Sequence, residues 1–432
     1  MSNLHPAFDW HEVARLALAS RFIDELEEEE LVPAGLVTYQ FSARGHELGQ
    51  LLLSQLLDRP LDCASAYYRS RPFLFGCGLT LAEALTADMA RAGSVSDGRD
   101  VGVVFNLPRR GRATVLPMAA DVGSQFTPGA GWAQAIQYRQ EVLGEDVAQS
   151  IAVVFAGDGA VAANGFWAAL TMATTLNLPL LFVIENNDYA ISVKGSKQTP
   201  GQNIAQNLAS FQNLQIWDGS GTVPAETAVL VHEAVGFVRE ARKPALLHLT
   251  VPRLSGHSSV DNQAYKSEAE RAAEWQRDPI PALKSYLVPA LMDEAAWDSL
   301  VQEVKQSLAE ARQIAEATPP AEPASVTRFV LSEPGFPQQV GGLAGEGIEM
   351  KGGTAVPQPP DPRRINFIEA IRRTLDVELA LNPRCLLFGE DVGLKGGVHA
   401  ATQGLQSKYG EGRVFDTSLS EEGIIGRAVG MA

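Results

Sequence analysis

Residues Ser150 to Ser192 read SIAVVFAGDGAVAANGFWAALTMATTLNLPLLFVIENNDYAIS. An apolar run, Ile151 to Phe155, breaks at Gly157-Asp158-Gly159. A helix-length segment of small and apolar residues follows, from Ala162 to Asn177. A second apolar run, Leu178 to Ile184, breaks at Glu185-Asn186-Asn187-Asp188-Tyr189. Two β-rich runs bracketing a helical segment predict a βαβ unit, whose parallel strands are buried on both faces. Ligands of such sheets gather beyond the carboxyl ends of the strands, where both polar breaks fall. Asn187 follows Asp158 by 29 positions, enough for a helix and a return strand, so the two strand ends are expected side by side. A carboxylate beside amide and backbone oxygens suits a hard divalent cation such as Mg²⁺.

The rest of the chain bounds this reading. At 432 residues and 45% hydrophobic content the chain supports about three units with real cores. A formal net charge of -16 argues against a nucleic-acid partner, so an anionic ligand has to be held locally. Cys63, Cys77 and Cys385 form no CxxC pair, which fits a reducing cytoplasm. The first twenty residues lack a basic start and apolar run, and no stretch approaches the ~20 apolar residues of a membrane span.

Before the central unit, residues 11–31 predict a helix whose acidic run, Asp24 to Glu30, is expected to face solvent. Arg44 to Leu57 has helical spacing with an apolar face, and His46 on it is expected to be structural. Tyr67-Tyr68-Arg69-Ser70-Arg71 sets aromatic rings beside two guanidinium groups, chemistry that suits a phosphate or an ordinary ion pair. After the unit, Ala245 to Val251 predicts a strand whose exit runs Arg253-Leu-Ser-Gly256-His257-Ser258. Strands alternating with helices predict an α/β fold with an open parallel sheet and helices on both faces. That unit is expected over 1–317. A Pro- and Gly-rich linker is expected over 318–363. A second α/β unit, 364–432, holds a helix, two short strands and a helix beginning at Glu421 behind the N-cap Ser420. These elements alone are too few to enclose a core, so that unit is expected to be incomplete or finished by another polypeptide.

GDGAVAANG and FVIENNDYAIS resemble the thiamine diphosphate motif of the α subunit of the decarboxylating component of 2-oxo-acid dehydrogenase complexes. The resemblance implies thiamine diphosphate and Mg²⁺, with Asp158, Asn187 and the backbone of Tyr189 on the metal. Tyr68-Arg69 matches the family's pair on the diphosphate, and Gly157, Gly159, Ala160, Asn187 and Ile191 fall at cofactor-binding positions. The resemblance also puts Ser124 and Phe126 along the cofactor pocket, while Ser124-Gln-Phe-Thr-Pro departs from the relatives' pattern and carries over no potassium site. Relatives have His or Ser where this chain has Arg71, so no role is implied for it. Gly256-His257-Ser258 matches a loop whose His sits over the reactive ring.

Residues 364–432 resemble the opening of the family's β subunit, and its essential carboxylate falls on Glu421. The implied catalytic residues are therefore Glu421 and His257, in an α-then-β fusion. The implied reaction is oxidative decarboxylation of a small 2-oxo acid with acyl transfer to a lipoylated acyltransferase. GGVHAATQGL and NNDYAIS look closer to the branched-chain than to the pyruvate type. The implied partners include the remaining β portion or a second copy of the chain. An acetoin- or transketolase-type enzyme, or a non-catalytic chain acting by association, stays open.

Overall fold

A computed structural model describes residues 4–99, 106–117, 121–328 and 364–432. Of the expected linker, 318–328 is described, with a short 3₁₀ turn at Pro323–Thr327; the remainder lies outside the described residues.

The strands, in chain order, are β1 (Cys63–Ser65), β2 (Thr114–Val115), β3 (Ala152–Gly157), β4 (Leu180–Asn186), β5 (Tyr189–Ala190) and β6 (Val193–Lys194). They continue with β7 (Gln215–Ser220), β8 (Ala245–Thr250), β9 (Leu387–Gly389) and β10 (Val414–Asp416). Six of them form one sheet in the order β2-β1-β3-β4-β8-β7, with every pairing parallel. The expected βαβ unit is its centre. β3 and β4 pair from Ala152↔Leu180 to Gly157↔Glu185, connected by the helix Asn164–Leu176.

The alternation of side chains builds two cores from one sheet. Val153, Phe155, Leu181, Val183, Leu247 and Leu249 point to one face, against the helices of the first ninety residues and Pro224–Ala241. Ala152, Val154, Ala156, Leu180, Phe182, Ile184 and Leu246 point to the other, against Phe126–Glu141 and Asn164–Leu176. Because both faces are covered, the central strands read as continuous apolar runs rather than as alternating ones.

Strand order reverses between β1 and β3: from β1 the chain passes first to β2 on one side and then to β3 on the other. That reversal leaves a crevice at the carboxyl ends of β1 and β3, the place where open sheets take ligands. β1 and β2 are three and two residues long, too short to carry periodicity, and the sequence reading placed no strand at Cys63.

The acidic run faces solvent only in part: Glu29 and Glu30 are exposed, as expected, and two others are not. Asp24 and Glu27 are fully buried at 0% exposure, because they lie three residues apart on one helix face and meet Arg71 at 2.5 and 2.6 Å.

The second unit is small. A helix, Phe367–Leu381, covers the two-stranded parallel sheet β9–β10, and Leu379, Leu405 and Val414 form its buried cluster. Its last helix, Glu421–Met431, lies against Phe126–Glu141 of the first unit at backbone distance. A Cβ on Gly430 would sit 1.9 Å from the Pro128 carbonyl oxygen, and one on Gly131 2.3 Å from that of Arg427. Tyr138 Oη adds a 2.6 Å hydrogen bond to the Pro383 carbonyl.

Gly430→Val should therefore cost about 1–3 kcal/mol by overpacking, read as a lower urea midpoint. Gly236→Ala, in a helix with nothing within 4 Å of the added methyl, should instead be neutral or add roughly 0.5–1 kcal/mol.

Candidate functional site

The carboxyl ends of β1, β3, β4 and β8 deliver the site residues to one crevice. β3 ends in Gly157, and Asp158 opens a 3₁₀ turn, Asp158–Ala162. β4 ends in Asn186, and Asn187 begins the exit. The Asn187 N–H donates to Asp158 Oδ1 at 3.2 Å, tying the two strand ends together. Asn187 Oδ1 accepts from the Tyr189 N–H at 3.1 Å, which keeps one lone pair of that oxygen free. Asp188 takes a left-handed φ of 65° and turns the chain into the β5–β6 hairpin, whose pairs are Tyr189↔Lys194 and Ala190↔Val193. Close approach then demands glycine at 159: a Cβ there would lie 2.6 Å from that of Ala190.

Asp158 is 7% exposed, and its Oδ2 is buried without a hydrogen-bond partner. Burial pushes its carboxyl up to about 6. A buried unpaired carboxylate oxygen is costly, and a divalent cation offsets that cost. Asp158 Oδ2, Asn187 Oδ1 and the nearby Tyr189 backbone are oxygen donors of the kind that could hold Mg²⁺ together with phosphate oxygens and water. Among the described residues no three His, Cys, Asp or Glu side chains gather as a metal cluster. One carboxylate with an amide and a carbonyl is the weaker, phosphate-dependent kind of site.

Beneath the β4 end, Glu185 is 1% exposed and accepts from Gln50 Nε2 at 2.9 Å and from Tyr67 Oη at 2.8 Å. It pins the β1 exit to β4. His46 is buried beside it, with Nε2 3.5 Å from Asn187 Nδ2. Burial favours its neutral form.

Positive charge comes from two buried guanidinium groups. Arg69, after β1, donates to the carbonyls of Ser42 and, at 3.2 Å, of His257. Arg253, after β8, is 1% exposed. It donates to the Ile191 carbonyl at 2.8 Å and to Tyr265 Oη, and its Nε is buried without a partner. Burial, and then Arg69, press its proton affinity down; two neighbouring cations in a low-dielectric site favour an anion beside them. Arg253 was not singled out from sequence, where it is one residue of a strand exit. The signal available was its position three residues before Gly256.

His257 stands at the mouth. Its ring lies 5.7 Å from Tyr68 and 5.3 Å from Phe41, which itself packs 4.3 Å from Tyr68. The loop that carries it is held by the His257 N–H donating to Asp261 Oδ2 at 2.6 Å. Gly256 is needed there, since a Cβ would meet the Asp261 carbonyl oxygen at 2.1 Å. Burial first, then Arg69 and Arg253, lower the imidazole to about 4, so it is neutral near pH 7.

Other expected residues take different places. Phe126 is fully buried, its ring 5.3 Å from Phe166 and 6.3 Å from Phe182, so its side chain serves the core. Ser124 Oγ donates to the Asp121 carbonyl at 2.8 Å. Gly157 and Ala160 are backbone of the β3 exit, and Ile191 is 59% exposed with φ 55°. Glu421 is exposed in the first turn of its helix, and the neighbouring Glu422 carboxylate lies against Gly165. Arg71 belongs to a buried ion cluster rather than to the crevice. A separate cavity of about 520 Å³ among the helices near Leu16, Phe75 and Ile314 involves none of these residues.

A parallel sheet in this order, with oxygen donors and buried arginines at its switch point, is the architecture of the thiamine diphosphate-binding folds. Residues 15–324 match the family described as dehydrogenase E1 component, and residues 363–432 match the transketolase pyrimidine-binding domain. The chain belongs to the dehydrogenase E1 component family. It is 27% identical to the 2-oxoisovalerate dehydrogenase subunit alpha of Bacillus subtilis over 322 residues, 74% of this chain and 94% of that one. It is 31% identical over 217 residues to the pyruvate dehydrogenase E1 component subunit alpha-3, chloroplastic, of Arabidopsis thaliana, spanning 50% of each. Identity is also 31% over 188 residues to the 3-methyl-2-oxobutanoate dehydrogenase subunit alpha of Mycobacterium tuberculosis, 43% of this chain and 48% of that one. The chain thus spans about half the length of two of these relatives. No helix among the described residues is long and apolar enough to cross a membrane.

The lowered imidazole gives a signed expectation. The folded state prefers neutral His257, so its contribution is complete above about pH 6.5 and is lost as pH falls toward 4. An NMR titration of labelled histidines should show one resonance with a midpoint near 4 that His257→Gln removes. A midpoint near 6.5 contradicts the buried geometry.

Proposed function

We propose that the chain carries out oxidative decarboxylation of a small 2-oxo acid, of branched-chain type, and passes the acyl group to the lipoyl arm of an acyltransferase partner in the cytoplasm. The observation that supports this most is the convergence of an unpaired buried carboxylate oxygen on Asp158 with two buried arginines, Arg69 and Arg253, at the switch point. In this reading Asp158, Asn187 and the Tyr189 carbonyl hold Mg²⁺, and Arg69 and Arg253 receive the diphosphate beside Tyr68. Thiamine diphosphate, when bound, supplies the electron sink that decarboxylation requires. Neutral His257 then stands ready to hydrogen-bond the substrate and to take or return a proton at its ring nitrogen. Glu421 offers a carboxylate to the aminopyrimidine end, and its present exposure calls for cover by ligand and partner.

That partner is the remaining β-like portion or a second copy of the chain. The second unit leaves Phe367 79%, Leu419 85%, Ile425 67% and Val429 66% exposed, apolar surface that a partner would cover. The branched-chain preference draws on the long match to the Bacillus subtilis 2-oxoisovalerate dehydrogenase subunit.

Calorimetry should show thiamine diphosphate binding that needs Mg²⁺. Asp158→Asn should abolish the Mg²⁺ requirement along with most affinity, and Arg253→Met should weaken binding roughly 10–100-fold, the loss of a charge-assisted contact. With a β-like partner supplied, CO₂ release from 3-methyl-2-oxobutanoate should depend on a lipoylated acceptor. Release without acceptor dependence favours the acetoin type, and absence of cofactor binding overturns the proposal.

A further inference from the structure

Arg71 lies outside the crevice, in a buried ion cluster. Its guanidinium is 5% exposed and meets three buried carboxylates. Nη1 donates to Glu27 Oε1 at 2.6 Å and to Asp88 Oδ2 at 2.9 Å; Nη2 donates to Asp24 Oδ1 at 2.5 Å and to Glu27 Oε2 at 2.6 Å. One cation cannot neutralise three anions, and burial drives the Asp88 carboxyl strongly toward its protonated form. A neutral Asp88 leaves one cation between the two carboxylates of Asp24 and Glu27, in a buried knot at the C-terminal end of the first helix.

The knot has an arm toward the crevice. The second oxygen of Asp24, Oδ2, accepts from Ser42 Oγ at 2.9 Å and from the Ala43 N–H at 2.8 Å. The Ser42 carbonyl, turned outward by those two bonds, accepts from Arg69 Nη1. The other guanidinium nitrogen of Arg69 reaches the His257 carbonyl at 3.2 Å. The same segment is laced to the β8 exit: the Ser259 N–H donates to the Gln40 carbonyl at 2.9 Å, and a Cβ on Gly45 would meet the Pro252 carbonyl oxygen at 2.1 Å. Every group on the path from Arg71 to Arg69 is buried: Asp24 at 0%, Ser42 at 3% and Arg69 at 2% exposure. Such a path has little slack.

We propose that Asp24, locked in place by Arg71, is a positioning residue that sets the Ser42–Ala43 backbone and through it the reach of the Arg69 guanidinium toward a bound diphosphate. This rests on the function proposed above. It goes beyond it by giving the buried charge cluster, outside the crevice, control over the anion site.

Two substitutions in the same cluster separate positioning from bulk stability. Asp24→Asn disturbs the arm to Ser42 and Ala43. Asp88→Ala removes the Arg71 contact of the same knot on the side that has no arm. Binding of Mg²⁺ with inorganic pyrophosphate to the whole chain, measured by calorimetry beside the thermal midpoint, is the readout. Both variants should lower the midpoint, but only Asp24→Asn should weaken pyrophosphate binding, by roughly 10-fold, leaving Asp88→Ala within about twofold of wild type. Should Asp24→Asn not fold, Ser42→Ala removes one bond of the arm and should weaken binding roughly 2–10-fold. Equal affinities in Asp24→Asn, or in Ser42→Ala, and wild type overturn the inference, as do equal losses in Asp24→Asn and Asp88→Ala. Failure of the wild-type chain itself to bind overturns the proposed function instead.

Discussion

One backbone hydrogen bond, from the Asn187 N–H to Asp158 Oδ1, joins the ends of two neighbouring strands. Because parallel strands run in step, their carboxyl ends finish together, and whatever the chain places just beyond them is brought within bonding distance. Asp158 spends one oxygen on that bond and keeps the other in a buried pocket. The placement is inherited from the register Gly157↔Glu185, and a slip of one residue would turn every side chain of β4 to the opposite core. The two apolar cores thus fix where the Asp158 and Asn187 side chains sit at the strand ends.

Charge is handled locally, against the grain of the whole molecule. A chain with net charge -16 repels anions at long range. In the proposed function Arg69 and Arg253 serve because they are buried, where the dielectric is low and their partners are carbonyl oxygens and the Tyr265 hydroxyl rather than carboxylates. The carboxylates that could quench them are engaged elsewhere: Asp24, Glu27 and Asp88 by Arg71, and Glu185 by Gln50 and Tyr67. Segregating buried cations with free hydrogen-bonding capacity from cations already paired gives an acidic protein a place for a diphosphate.

The legibility of these features in sequence follows their physical origin. β3, β4 and β8 are buried on both faces, so their apolar runs announce them, and Asp158, Asn187, Tyr68-Arg69 and His257 stand at their exits or that of β1. β1 itself has three residues and no pattern; only its neighbours in the sheet make it a strand. The acidic run misleads because composition is one-dimensional, whereas Asp24 and Glu27 share a face that meets Arg71 from a distant helix. Glu185 carries no local mark and Arg253 only its place three residues before Gly256, since their surroundings are set by burial and by what they touch. Phe126 shows the converse: a residue next to the crevice in sequence whose ring turns into the core.

The glycine contacts of the last helix have a geometric consequence. Gly426 and Gly430 are four residues apart, one helical turn, and their missing side chains let the backbone touch Thr127 and Pro128. Two such notches act as a detent. Sliding the helix along its neighbour would push a side chain into Thr127 or the Pro128 carbonyl, so the two notches hold it at one position along the axis. Glu421 rides at the far end of that rod. Insertion of a single residue between Glu421 and Gly426 would swing the carboxylate about 100° around the axis while leaving the notches seated.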